Sequence, residues 1–357
     1  MDPNNLIPTP DAMPAPAWLM IVLEQLLFLL HILMINALLG SALIILYRWF
    51  TKNDTQQFLN FNQSIAKKIP VMFALGINLG VAPLLFLQVT FGHLFYTSSV
   101  LMATYWIMVI PLLIMAYYAA YIHNKKMENN ESFAKISLFL LVLFVLYIGF
   151  ILVANNSLME KPEAWTQYFD NRNGTLLNLS DPTIYPRFFH FLFASWAIGG
   201  MFYSTVYFFK KELVDKEQKI QEGLRIFGFG TAFQIVIGFW YLFSLPEKQM
   251  LNLIGRDLLS SIILLIGIAA GIGAMVFAFL GKYKATLSHI ILTLVFMIIT
   301  RYLLRMMYLE DNFSLSSLRN EPQWFIFALF VIILLIGLYS VWYMIKVVFL
   351  KTSGRAE

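Results

Sequence analysis

The 357-residue sequence contains no cysteine. That excludes disulfides, thiolate metal sites, iron–sulfur ligation and thioether attachment of a haem. Charge is scarce as well: 13% of residues are Asp, Glu, Lys or Arg, against about 25% in ordinary soluble domains. The first sixteen residues hold no Lys or Arg, so they lack the basic opening of a signal peptide. Residues 1–17 read instead as a short, Pro-rich, exposed N-terminal arm. What the chain has in excess is apolar surface, at 59% of residues. A chain of this composition reads as one buried in lipid, and nothing in it suggests a nucleic-acid partner.

A bilayer core of roughly 30 Å takes about 20 apolar residues of helix. Stretches of that kind lie near 18–47, 70–97, 100–122, 135–154, 188–209, 226–245, 257–280, 286–308 and 323–349. They are too long and too uniformly apolar for barrel strands, and backbone polar groups in lipid must pair internally. The expected fold is therefore all-α, a polytopic transmembrane bundle of about nine spanning helices. It forms one domain over 18–350, with a long outer loop at 155–187 and a cytoplasmic tail at 351–357. No internal repeat of the kind found in inverted-repeat transporters is visible.

Basic residues set the expected orientation. The connections after helices 1, 3, 5 and 7, together with the C-terminal end, carry 17 Lys and Arg, against 6 in the remaining connections. The positive-inside rule then puts the N-terminus outside and the C-terminus inside, in a cell's inner membrane.

Polar side chains within spans are costly, which makes them functional candidates. Glu24 and His31 share a face of helix 1. Gln88 and His93 lie in the outer half of helix 2, and His190 lies one turn into helix 5, just after Arg187. Arg301 and Arg305 form an i, i+4 pair near the outer end of helix 8. All of these fall in the outer half of the membrane. His123 and His289 lie at inner helix ends and read as interfacial. Three histidines at one depth, on three helices, suit bound haem b, for which imidazole is a common axial ligand. Arginines near the outer surface suit the haem propionates. The plainer alternative for each histidine is a helix–helix hydrogen bond. For Glu24 the choice is between an interfacial carboxylate beside Trp18 and a proton-transfer group on the approach to His31.

The stretch from Ala154 to Tyr207 resembles subunit I of the cytochrome bd quinol oxidases. The matching residues are Asn156, Met159 and Pro162, then Asp181–Pro182, Phe188 with His190, and Gly199 with Phe202. His31 stands at the position of that family's helix 1 haem ligand. Gly76 to Gly92 resembles its helix 2 segment. The resemblance is good over helices 1–6 and topological only over helices 7–9. It implies helices 1–4 in one bundle, 5–8 beside them, and helix 9 at the periphery.

The departures are equally specific. Gln88 stands where the family has a glutamate, and the stretch from Val109 to Tyr121 lacks the family's helix 3 acid. The family's helix 7 methionine ligand would fall near Leu258. Its helix 8 acidic motif is missing, the nearest feature being Thr300–Arg301 with Arg305. The long outer quinol loop is reduced to about ten residues around Pro246–Gly255. The resulting expectation is a divergent bd-like oxidoreductase, a haem b electron-transfer protein with His31, His190 and His93 as candidate iron ligands. Arg301 and Arg305 are the expected propionate partners, and Glu24 and Gln88 the candidate catalytic groups. A further membrane subunit or a c-type cytochrome on the outer face is the expected partner. The alternatives are a terminal oxidase with an altered site, a quinol-linked membrane anchor, and a haem-free transporter or accessory subunit.

Overall fold

The computed structural model describes residues 6–51, 62, 65–210 and 215–353, and only the backbone of 338, 341, 344–345 and 347–353. Lys52, Lys211, Arg355 and the last part of the expected tail lie outside the described residues. Among the described residues nine long helices follow in order: α1 (Ala17–Phe50), α2 (Ile69–Leu101), α3 (Ala103–Lys126), α4 (Glu131–Glu160), α5 (Ile184–Phe208), α6 (Lys216–Ser244), α7 (Leu258–Phe279), α8 (Tyr283–Leu309) and α9 (Trp324–Ser353). The first eight are long and apolar enough to cross a membrane. No strand occurs among the described residues. The chain is a polytopic helical membrane bundle. Large apolar side chains such as Leu26, Ile110, Phe233 and Leu265 point outward, where lipid, not water, is the solvent.

The helices pack as two groups. α1 lies on α2, α2 on α3 and α3 on α4; α5 lies on α6, α6 on α7 and α7 on α8. The main seam between the groups is α1 against α5. Small residues make that seam possible. A side chain on Gly40 would run into the backbone at Ser195 and Gly199, and one on Gly199 into the backbone of Gly40. The Ser195 hydroxyl donates to the Asn36 side-chain oxygen at 2.8 Å, also across this seam. On its neighbouring face α5 meets α6 as closely, through Gly200 with Gly223 and Phe227, and through Ala197 with Gly230. Close backbone approach of this kind is how membrane helices gain packing energy when lipid is as apolar as leucine. The described side chains of α9 are mostly exposed.

Two expectations need correction. Helix 4 does not end at 154. It runs to Glu160, so the long connection is 161–183 and begins with a 3₁₀ helix, Pro162–Phe169. The polar run Asn155–Asn156–Ser157 resembles a loop only until its partners are known: Asn155 donates to the Ser99 hydroxyl at 3.2 Å, and Ser157 to Asp181. The N-terminal arm is not exposed throughout. Met13 and Ala15 are buried, and the Met13 amide donates to the Arg319 carbonyl at 2.7 Å while the Glu321 amide donates back to Met13 at 2.9 Å. The short 246–255 connection is itself helical. One turn, Glu247–Leu251, widens into Asn252–Arg256, where Gly255 takes φ +141°, a region open to glycine.

Candidate functional site

Positions 24, 28 and 31 lie four and three residues apart on α1, so Glu24, Phe28 and His31 share one face. Arg301 and Arg305 are one turn apart on α8. The two helices run antiparallel here, which pairs Glu24 with Arg305 and Phe28 with Arg301. The Arg305 guanidinium is fully buried; Nη1 meets the Glu24 carboxylate at 2.7 Å, Nη2 donates to the Asn156 side-chain oxygen at 3.0 Å, and Nε lies 3.6 Å from Glu160. Its face lies 5.3 Å from the Phe91 ring centroid. Phe91 is where α2 leaves helical geometry, at φ −122° and ψ 24°.

Glu160, the last residue of α4, is the centre of the cluster. It accepts from the Asn156 amide at 2.8 Å and from Arg187 Nη2 at 3.0 Å. Arg187, from the first turn of α5, also donates from Nε to the Tyr241 hydroxyl on α6 at 3.0 Å. Side chains from α1, α4, α5, α6 and α8 thus join in one buried network at the end where α1 begins. A buried carboxylate is tolerable because each has guanidinium partners, and breaking such a pair is far costlier than forming it is favourable.

The charges do not cancel. Arg187, Arg301 and Arg305 face Glu24 and Glu160, leaving one positive charge in excess. The surplus falls on Arg301. Among the described residues it has no carboxylate in ion-pair contact; it lies 4.2 Å over the Phe28 ring, and its Nη1 is buried without a hydrogen-bond partner. Phe28 in turn lies 6.4 Å from the His31 ring. The result is a column of Arg301, Phe28 and His31.

The structure places the histidines in different groups. His31 faces α2, with Nδ1 2.8 Å from the Gly76 carbonyl oxygen. Its ring fills the space left by Gly80, where a Cβ would come within 2.6 Å. His190 faces α6, with Nε2 3.3 Å from the Gln234 amide nitrogen and Nδ1 buried without a partner. His93 stands apart from both; its ring lies 5.0 Å from that of Phe313. Gln88 is half-buried one turn before the α2 kink. His123 is buried at the end of α3, bonded to the Ala134 carbonyl at 2.9 Å, and His289 bonds within its own helix to Ala285. Sequence reasoning put Glu24, Arg301 and Arg305 at one depth of the membrane without pairing Glu24 with either arginine, and it missed Glu160 and Tyr241. The available signal was the i, i+4 spacing of Asn156 and Glu160, obscured by reading the segment as loop.

Beside the cluster, Asp181 locks the start of α5. Its carboxylate accepts from the Thr183 amide at 3.0 Å and hydroxyl at 2.8 Å, from Ser157, and pairs with Lys161 at 2.7 Å. Burial alone would raise its pKa, but Lys161, Ser157 and the Thr183 amide outweigh that and hold it below the usual carboxylate range. No protein-family model, curated protein or solved structure matches the chain.

Proposed function

We propose that the chain is a haem b protein of a cell's inner membrane that passes electrons to or from a partner on the side where α1 begins. In this reading it crosses the membrane nine times with its N-terminus outside. The partner is a further membrane subunit or a c-type cytochrome. His31 and His190 would hold the haem iron, His93 would be a substitute ligand, and Arg301 would pair with a propionate. The observation that carries the proposal is the surplus charge on half-buried Arg301, whose Nη1 is buried without a partner, one aromatic ring away from His31. An uncompensated guanidinium in an apolar bundle calls for an anion.

The side chains fit such a group. In the tautomer that donates from Nδ1 to the Gly76 carbonyl, His31 keeps the Nε2 lone pair free, as metal-bound imidazoles commonly do. His190 has a buried ring nitrogen with no protein partner. When bound, a b-type haem supplies a one-electron couple. The chain's own residues would hold it away from water and balance its charge. Arg305 differs from the sequence expectation in degree: with Glu24, Asn156 and Glu160 around it, it anchors the helices, and Arg301 keeps the open edge. Dioxygen reduction is left out of the proposal. Gln88 is a neutral amide and takes up no proton, and Glu24 is paired with Arg305.

The reduced-minus-oxidised optical spectrum of protein purified from haem-replete cells tests this. A b-type α-band, weakened in His190→Ala, is expected. Protein free of haem absorbance would end the proposal. It would favour a haem-free accessory subunit, a reading supported by the protein hydrogen bonds that His31, His123 and His289 already make.

A further inference from the structure

The opposite side of the second helix group carries a different feature. α5 ends there, α6 begins, and the α7–α8 turn lies between them. The Phe208 ring stacks on Tyr283 at 4.2 Å, and the Tyr283 hydroxyl donates to Thr205 at 3.1 Å, which ties the turn to α5. Four lysines lie on or next to the segments that form this aromatic shelf. Lys216 Nζ lies 5.7 Å from the Phe208 ring, Lys210 Nζ 4.8 Å from Tyr207, and Lys282 Nζ 5.9 Å from Phe277. Lys284 follows Tyr283 and is exposed.

None of the four has a carboxylate in ion-pair contact among the described residues. In the first helix group Lys67 pairs with Glu128 at 3.2 Å and Lys135 with Glu131 at 2.6 Å, while Lys68, Lys125 and Lys126 have no carboxylate in ion-pair contact among the described residues and no aromatic shelf beneath them. Lys219 and Arg48, close to the shelf, are likewise taken by Glu222. Asp215 and Glu217 are the described acids nearest in sequence to Lys216, and neither forms an ion pair with it; Lys211 and Glu212 lie outside the described residues. Lysine stems spread on aromatic rings at a helix end, with their ammonium groups free, sit at headgroup depth in a membrane.

We propose that this corner, formed by Lys210, Lys216, Lys282 and Lys284 around Phe208 and Tyr283, binds the phosphate headgroup of an anionic phospholipid. The charge is complementary, and the exposed apolar flanks of α7, such as Val276 and Phe279, offer acyl chains a surface. Basic pockets between membrane helices take phosphate in this way, at about one kcal/mol for each lysine near the surface, which is roughly fivefold in affinity.

The test uses the full chain in nanodiscs of phosphatidylcholine with or without one-fifth phosphatidylglycerol, with lipid retention read by native mass spectrometry. Wild type should retain phosphatidylglycerol over phosphatidylcholine. The triple variant Lys216→Gln, Lys282→Gln, Lys284→Gln should lose that preference by more than tenfold. A matched variant, Lys67→Gln with Lys135→Gln, should keep it. Equal retention by wild type and the triple variant overturns the proposal, as does an equal loss in the matched variant. Inorganic phosphate in excess separates a lipid site from a free-anion site; displacement of the lipid preference by millimolar phosphate would overturn the lipid assignment. Circular dichroism on each variant distinguishes lost binding from lost fold.

Discussion

Arg305 is the residue on which the buried cluster turns. It is fully buried and holds Glu24, Asn156 and Glu160 together. Arg305→Ala would leave two carboxylates with reduced compensation in an apolar interior, so a loss of about 3–5 kcal/mol is expected, measured by denaturation in detergent micelles. Arg305→Lys should recover only part of it, because a single ammonium cannot reproduce the guanidinium fork. A stability unchanged in the alanine variant would mean that the network is ornamental. Asp181 gives a pH-dependent counterpart. Its folded pKa is depressed, so its contribution is present above the unfolded value and is lost as pH falls through the folded one. Acidification below the ordinary carboxylate range should therefore destabilise wild type more steeply than Asp181→Asn. Parallel acid curves for the two proteins would refute this account of Asp181.

At the scale of elements, the decisive contact is the seam between α1 and α5. Gly40 and Gly199 allow the two backbones to touch, and neither has room for a Cβ. Gly199→Ala is expected to cost about 1–3 kcal/mol as an overpacking substitution, visible as a lower midpoint of thermal unfolding. Gly255→Ala carries a different penalty: the added Cβ meets nothing, but φ of +141° strains any L side chain. Much of this level was legible in the sequence. Uniform apolar runs fix where helices exist because lipid permits little else. The end of α4 was not legible. Asn155, Asn156, Ser157 and Glu160 look like loop when hydropathy is summed along the chain, since their partners Ser99, Arg305, Asp181 and Arg187 lie on other segments. The same reason hid Glu160 and Tyr241 from the site. Glu24 and Arg305 were visible as isolated charges in apolar runs, whereas their mutual contact depends on α1 and α8 meeting across 281 residues of chain.

For the whole molecule, the two groups of helices separate the two leading histidines. His31 rests on α2 through Gly76 and Gly80; His190 rests on α6 through Gln234 and Gly238. Neither ring has the other among its hydrogen-bond or ring partners, and the network from Glu24 through Arg305 and Glu160 to Arg187 links their neighbourhoods only at its edge. We propose that, if both bind iron, they do so at separate centres, because each ring is held by a different partner helix. Sites without shared partners act additively. His31→Ala and His190→Ala should each remove a distinct part of the reduced-minus-oxidised spectrum, and the double variant should lose the sum of the two. Arg301→Gln should perturb chiefly the part that His31→Ala removes, because the guanidinium stacks on Phe28 beside that imidazole. Loss of the whole spectrum in either single histidine variant, with the helical fold intact, would instead mean one shared centre and a packing of α1 against α5 different from the one described.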